Sequence, residues 1–288
     1  MNKLYLFLLL FLFMTTYSCQ KVKNHNQFPL KGDIVQNNIK IKKNSPIIIY
    51  GDTRNNYEIH KKVVKSFLKK SPAMVFNTGD LVYDGDNTSL WPLFYNIIKP
   101  ILKVARYYPV LGNHERNSIN YFKLFNLPNN EKWYSIDFKN INFFILDSNS
   151  DLSVDSRQHL WLNSKLKASK KHFKILIFHH PLYSVGRHGG EIKLRNSLME
   201  LIKKYKVQLI FNGHDHSYQR FTKDKTTFIV TGGGGAPLYD KVSNSDDEKF
   251  LKKFIKTYHY CLLKPKNNQL LLEIYDISNK LIDEILIK

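Results

Sequence analysis

Five short apolar runs, mostly β-branched or aromatic, stop on the same kind of polar punctuation, and amphipathic stretches alternate with them. Residues 46–50 lead into Gly51-Asp52, and residues 73–76 into Asn77-Thr78-Gly79-Asp80. Residues 107–111 lead into Gly112-Asn113, residues 173–178 into His179-His180, and residues 207–211 into Asn212-Gly213-His214. Runs this short and this apolar read as strands buried on both faces. Between the first two, Ile59, Val63, Val64, Phe67 and Leu68 recur at helical spacing with lysines on the opposite side. Residues 89–105 read as a helix broken or kinked at Pro100, and residues 156–169 and 194–205 as two further helices. Residues 132–148 read as a hairpin turning at Lys139-Asn140. After the glycine run 232–235 the pattern changes to successive strands, with turns near residues 266–268 and 278–279. The expectation is an α/β chain in which sheets pack together with helices outside. Its polar residues gather at strand ends, the edge where open α/β folds bind ligands.

The organisation has three parts. Residues 1–18 carry Lys3 and then an unbroken apolar run, residues 4–14. A membrane span needs about 20 apolar residues, so this reads as an export signal. Cys19 follows Ser18 where a bacterial lipoprotein carries its acylated residue; ordinary cleavage with Cys19 incidental is the competing reading. Residues 19–45 are polar and rich in Lys and Asn, as a tether would be, although residues 33–41 could add an edge strand. Residues 46–288 form one domain without internal repeats. The expected location is outside the cytoplasm, periplasmic or at the cell surface, with membrane anchoring through Cys19 if it is lipidated.

The 288 residues contain 44 Lys and Arg against 24 Asp and Glu, a formal charge of +20. Such a charge favours anionic partners of any kind but selects none. The basic residues are spread through the helices with no interleaved aromatic stripe, so no dedicated nucleic-acid surface is evident. With Cys19 and Cys261 as the only cysteines, a disulfide framework and a cysteine-based zinc site are excluded.

The strand ends hold donors for a hard or borderline metal: Asp52, Asp80, Asn113, His179, His214 and His216. Carboxylate, amide oxygen and imidazole together suit iron, manganese and zinc. Residues two apart in extended chain point the same way, so His214 and His216 can face one centre while Asp215 faces elsewhere. Taken singly, a Gly-Asp turn or a His-x-His is more often structural; six such donors at successive strand ends are hard to read as chance.

The order Gly51-Asp52, Gly79-Asp80-Leu81-Val82-Tyr83, Gly112-Asn113-His114-Glu115, His179-His180-Pro181 and Gly213-His214-Asp215-His216-Ser217-Tyr218-Gln219-Arg220 resembles the calcineurin-like metallophosphoesterase superfamily. Tyr83 and the ending at Arg220 resemble its purple acid phosphatase branch. The resemblance implies an αββα sandwich around two metal ions, iron with iron, zinc or manganese. It implies that Asp80 bridges them, that Asp52, Tyr83 and His216 complete one site, and that Asn113, His179 and His214 complete the other. It places His180 outside the ligand set and makes His114 the proton donor or oxyanion stabiliser. The implied activity is hydrolysis of a small phosphate monoester by a metal-activated hydroxide.

One position departs from that pattern. Where the superfamily has Asp-x-His and the purple branch Asp-x-Gly, this chain has Asp52-Thr53-Arg54. A guanidinium stays protonated and cannot ligate a metal. Two readings of Arg54 stand, a contact to substrate phosphate or an ordinary ion pair. His188, flanked by glycines, is a candidate substrate contact, and either Asp84 or Glu115 could orient His114. A phosphodiesterase or nuclease with the same centre is the nearest alternative function, and a non-catalytic lipid-anchored binding protein the more distant one. The glycine run lacks the Lys-Ser/Thr of a phosphate-binding loop, and no Gly-x-Ser-x-Gly supports serine hydrolysis.

Overall fold

The computed structural model describes residue 39 and residues 44–242, 245–266 and 268–288. The expected signal (1–18), Cys19 and nearly all of the tether (19–45) lie outside these residues. Two sheets stack face to face. One has six strands in the order β13-β12-β11-β1-β2-β3 and the other seven in the order β10-β8-β9-β7-β6-β5-β4. The first joins β1 (Ile47–Tyr50), β2 (Met74–Asn77) and β3 (Arg106–Pro109) in parallel. A meander of β11 (His259–Lys266), β12 (Gln269–Asp276) and β13 (Leu281–Ile287) then adds to β1. The second joins β5 (Ile141–Ile145), β6 (Phe173–Ile177), β7 (Leu209–Asn212) and β9 (Thr226–Thr231) in parallel. β4 (Tyr134–Phe138), β8 (Tyr218–Lys223) and β10 (Leu251–Ile255) pair antiparallel around them.

Side-chain alternation in the second sheet makes the layers. Phe143, Ile145, Ile175, Ile177, Leu209 and Phe211 join the core shared with the first sheet, where Phe143 lies 4.6 Å from Phe76 between ring centroids. Their neighbours Phe144, Leu176 and Ile210 point to the other side, against Leu162 and Leu166 of α4 (Arg157–Ala168) and Leu198, Leu201 and Ile202 of α5 (Ile192–Lys204). The period of two therefore feeds two cores from one sheet. On the first sheet, α1 (Tyr57–Leu68) and α2 (Leu90–Leu102) bury Val63, Val64, Phe67, Phe94, Ile98 and Ile101. The result is the expected four-layer αββα sandwich.

Three local features depart from the sequence reading. α2 is not broken at Pro100 but runs two residues past it to Leu102, since a proline in the last turn costs only a hydrogen bond near the helix end. A short helix, α3 (Ile119–Leu124), and the strands β8 and β10 had no counterpart in that reading. β8 and β10 hold Gln219, Arg220, Thr222, Lys223, Lys252 and Lys253 among few apolar residues, which hides the apolar signal.

Candidate metal centre

The two sheets meet where β1, β2, β3, β6 and β7 all end, and each end carries a predicted donor. The loops are tied backbone to backbone. Asp52 N donates to Gly79 O (2.9 Å), Thr53 N to Asp80 O (3.0 Å) and Gly213 N to His179 O (2.9 Å). Three donor-bearing residues turn with positive φ: Asp52 at 57°, Asp80 at 56° and His214 at 71°. Gly79, at φ 101°, permits a close approach, because a Cβ there would stand 2.8 Å from both Gly112 N and His179 Nδ1. The glycine run 232–235 passes beside the Asp52 turn, with Gly234 N donating to Gly51 O at 2.8 Å.

One half of the centre converges tightly. Asn113 Oδ1 lies 2.9 Å from His179 Nε2 and 3.1 Å from His214 Nδ1, and the two imidazole nitrogens are 3.2 Å apart. Asp80 Oδ1 stands 3.4 Å from His179 Nε2. His179 Nδ1 donates to Thr78 O at 2.9 Å, which turns a lone pair on Nε2 into the cluster. Burial holds His179 neutral well below its ordinary range, helped by His180 alongside. His214 is likewise lowered, by burial and then by His179 and His180. Metal–donor bonds of about 2.0–2.2 Å set neighbouring donors roughly 2.8–3.6 Å apart, so the Asn113, His179 and His214 atoms fit one ion, with Asp80 Oδ1 beside His179 Nε2.

The other half is different. Asp52, Asp80 and His216 each offer an atom within 4.8 Å of the others. Burial, and then the charge of Asp80, push the Asp52 carboxyl well above the usual range, so this pocket calls for a cation. His216 donates Nδ1–H to Pro237 O at 2.7 Å, and burial lowers it to about 4, leaving Nε2 an acceptor. Arg54 lies among these groups. Its Nε donates to Asp80 Oδ2 at 3.1 Å and its Nη2 to His216 Nε2 at 3.3 Å, and the residue is only 8% exposed. Arg54 thus forms an ion pair with Asp80. Tyr83, expected as a ligand here, is 55% exposed, and its ring lies 5.4 Å from that of His114 and 6.0 Å from the Arg54 guanidinium carbon. An ion would have to share this half with a fixed positive charge.

His114 sits at the mouth. Its Nδ1 is 2.5 Å from Tyr83 O and its Nε2 3.8 Å from Asp80 Oδ2, while its backbone N donates to Asp80 Oδ1 at 3.1 Å. The carbonyl of Tyr83 therefore orients the ring, and neither Asp84 nor Glu115 does. Asp84 pairs with Arg116 at 3.4 Å. Glu115 is buried and accepts from the backbone N–H groups of Asp80 (2.9 Å), Leu81 (2.7 Å) and Gly112 (2.6 Å), binding two donor loops into one unit.

His188 stacks 4.2 Å from the His214 ring, with Nδ1 3.1 Å from Asp215 Oδ1. Although burial would raise Asp215, hydrogen bonds from His188 and Ser184 outweigh it and hold the carboxylate low. One residue was missed from sequence. Tyr239 stacks on His216 at 4.1 Å and walls the Arg54 side. His180, set aside as a non-ligand, offers a nitrogen within 4.8 Å of those of His179 and His214, with its Nδ1 2.8 Å from Ser148 Oγ. Tyr239 follows the glycine run 232–235 by only four residues, but a single tyrosine there has no ligand spacing to mark it.

Comparisons with known proteins agree with this fold. Residues 45–218 match the family model for calcineurin-like phosphoesterases. The probable purple acid phosphatase 20 of Arabidopsis thaliana is 28% identical over 187 residues, 54% of this chain and 44% of its own. The probable inactive purple acid phosphatase 1 of the same plant is 29% identical over 226 residues, 62% of this chain and 36% of its own. The chain thus spans less than half the length of these relatives. In structure, a purple acid phosphatase from yellow lupin seeds superposes with a TM-score of 0.77 at 21% identity, covering 85% of this chain and 54% of the lupin chain.

Proposed function

The chain belongs to the calcineurin-like phosphoesterase family, and from that premise we propose that it is an exported, metal-dependent phosphatase acting on small phosphate monoesters. The observation that carries the reading is the convergence of Asp80, Asn113, His179 and His214 beside an oriented, accessible His114. Iron, zinc or manganese suits that donor set. Bound there, an ion supplies Lewis-acid polarisation of the phosphoryl group and a more acidic water.

The chain's own residues supply the rest. His114, its Nδ1–H given to Tyr83 O, keeps Nε2 to carry the proton that a leaving alkoxide requires. His188 is held by Asp215 through Nδ1, which leaves its Nε2 to meet a phosphate oxygen above His214. Asp52 accepts from His214 N with both oxygens at 3.0 Å and so fixes the ligand loop. The pair of ions implied by the family pattern, iron with iron, zinc or manganese, requires that the second ion share its half with Arg54. Export rests on the segment before residue 19, and anchoring on acylation of Cys19; loss of membrane association in Cys19→Ser tests the latter.

The activity is tested on one pure, metal-analysed sample with an aryl phosphate monoester, a bis-aryl diester and single-stranded DNA. Preferential turnover of the monoester is expected. A higher kcat/KM on the diester or DNA would move the reading to a phosphodiesterase or nuclease, and no turnover on any would support a binding protein.

A further inference from the structure

Arg54 lies between Asp80 and His216, in the half of the centre formed by Asp52, Asp80 and His216. Its side chain enters from the Asp52 turn, and Thr53 N and Arg54 N both donate to Asp80 O, at 3.0 and 3.2 Å. The loop that would offer a ligand therefore holds the guanidinium in position instead. Asp80 is divided by it: Oδ2 accepts from Arg54 Nε at 3.1 Å, while Oδ1 accepts from His114 N and faces His179 in the half that converges on one ion. His216 directs its lone pair to Arg54 Nη2 rather than to an empty coordination position. Of the other oxygen donors expected for that half, Asp52 accepts from His214 N with both oxygens at 3.0 Å, and Tyr83 has its ring beside His114 and is more than half exposed.

We infer that the centre holds a single metal ion, at Asp80, Asn113, His179 and His214, and that the Arg54 guanidinium takes the second ion's place as a permanent cation between Asp80 and His216. A planar guanidinium suits this task. It is always charged, and its separate N–H groups reach a carboxylate oxygen and an imidazole nitrogen at once. A divalent ion added beside it would meet like charge at close range in a poorly solvated pocket. Arg54 also retains N–H groups beyond the two used here, so the same residue can present positive charge to a phosphoryl oxygen from the side where an ion would otherwise act.

The inference rests on the metal-dependent reading above, yet its test is independent of activity. Purified protein is saturated separately with Mn²⁺ and with Zn²⁺, freed of excess ion, and analysed for metal per chain. Wild type should retain one ion, with a single-site titration isotherm. Arg54→His, which replaces the guanidinium with a donor, should take up two, and Arg54→Gly should show a second, weaker binding step. Two tightly held ions in wild type would overturn the inference, whatever the variants do. Should neither variant fold, the wild-type stoichiometry still decides. One ion with no hydrolysis would leave the inference standing and remove the phosphatase reading; two ions with hydrolysis would do the reverse.

Discussion

Asp52, Asp80 and Asn113 follow β1, β2 and β3 of the six-stranded sheet and bring only oxygen, whereas His179, His214 and His216 follow β6 and β7 of the seven-stranded sheet and bring only nitrogen. The oxygen side also contributes the fixed cation, Arg54. Neither sheet contains a complete site. The difference teaches that this centre is a property of the seam, and that its chemistry depends on how the two sheets are held against one another as much as on the ligands.

The largest effect should come from the residue that serves both halves. Asp80→Asn keeps shape and hydrogen-bonding reach but removes the charge shared by Arg54 and the metal. Metal content and hydrolysis should both fall to background while the circular dichroism spectrum stays native. Full metal content in this variant would mean that the nitrogen side suffices alone and would break the comparison.

His114 comes next, because it belongs to the oxygen side yet ligates nothing. His114→Ala should retain metal and lose about 10²- to 10⁴-fold in kcat, the usual worth of general acid–base help. The loss should shrink for esters with good leaving groups; equal losses across a leaving-group series would reject the proton-donor role.

Chelation tests the seam directly. An ion that binds only the folded state adds about 2.7 kcal/mol of stability at 100 times its dissociation constant, so the metal-free protein should melt at a lower temperature. Hydrogen exchange should rise together in residues 51–54, 79–83, 112–115 and 213–217, which belong to both sheets. Loosening confined to residues 213–217 would show that the ion ties only the nitrogen side.

A last comparison separates centre from scaffold by pH. Burial lowers His60 to about 3 and both His216 and His259 to about 4. A depressed folded-state pKa contributes stability above the unfolded value of about 6.5 that is lost as pH falls toward the folded value. Melting temperature should therefore drop between pH 6.5 and 4, with each group contributing on the order of 3 kcal/mol at the low end. His60→Gln should flatten the curve without altering metal content. A pH-independent melting temperature would show that these imidazoles are not held neutral.

Much of the site is legible in the sequence because each donor follows an apolar run of a length that only a strand accommodates, and parallel strands must end on one edge. Asn113, His179 and His214 are the plain case. Arg54 is legible as a departure but not as a solution, since its pairing with Asp80 and His216 depends on residues 26 and 162 positions away. Glu115 reads as a partner for its neighbour His114, yet its carboxylate turns inward to four backbone N–H groups, and no spacing rule carries that choice. Strands β8 and β10 escape notice because half of their faces are wet, so composition there resembles a loop.

The positive φ values at Asp52, Asp80 and His214 give the centre an unusual mutational grammar. At each position one residue answers two demands, a donor atom and a left-handed turn, and few residue types meet both. Asparagine and aspartate tolerate that conformation, while alanine tolerates it poorly and β-branched residues hardly at all. Alanine scanning would therefore confuse lost ligation with backbone strain, whereas Asp→Asn exchanges read the charge alone. By the same reasoning, drift at these three positions should proceed through asparagine before anything else, so that function would be lost well before the fold.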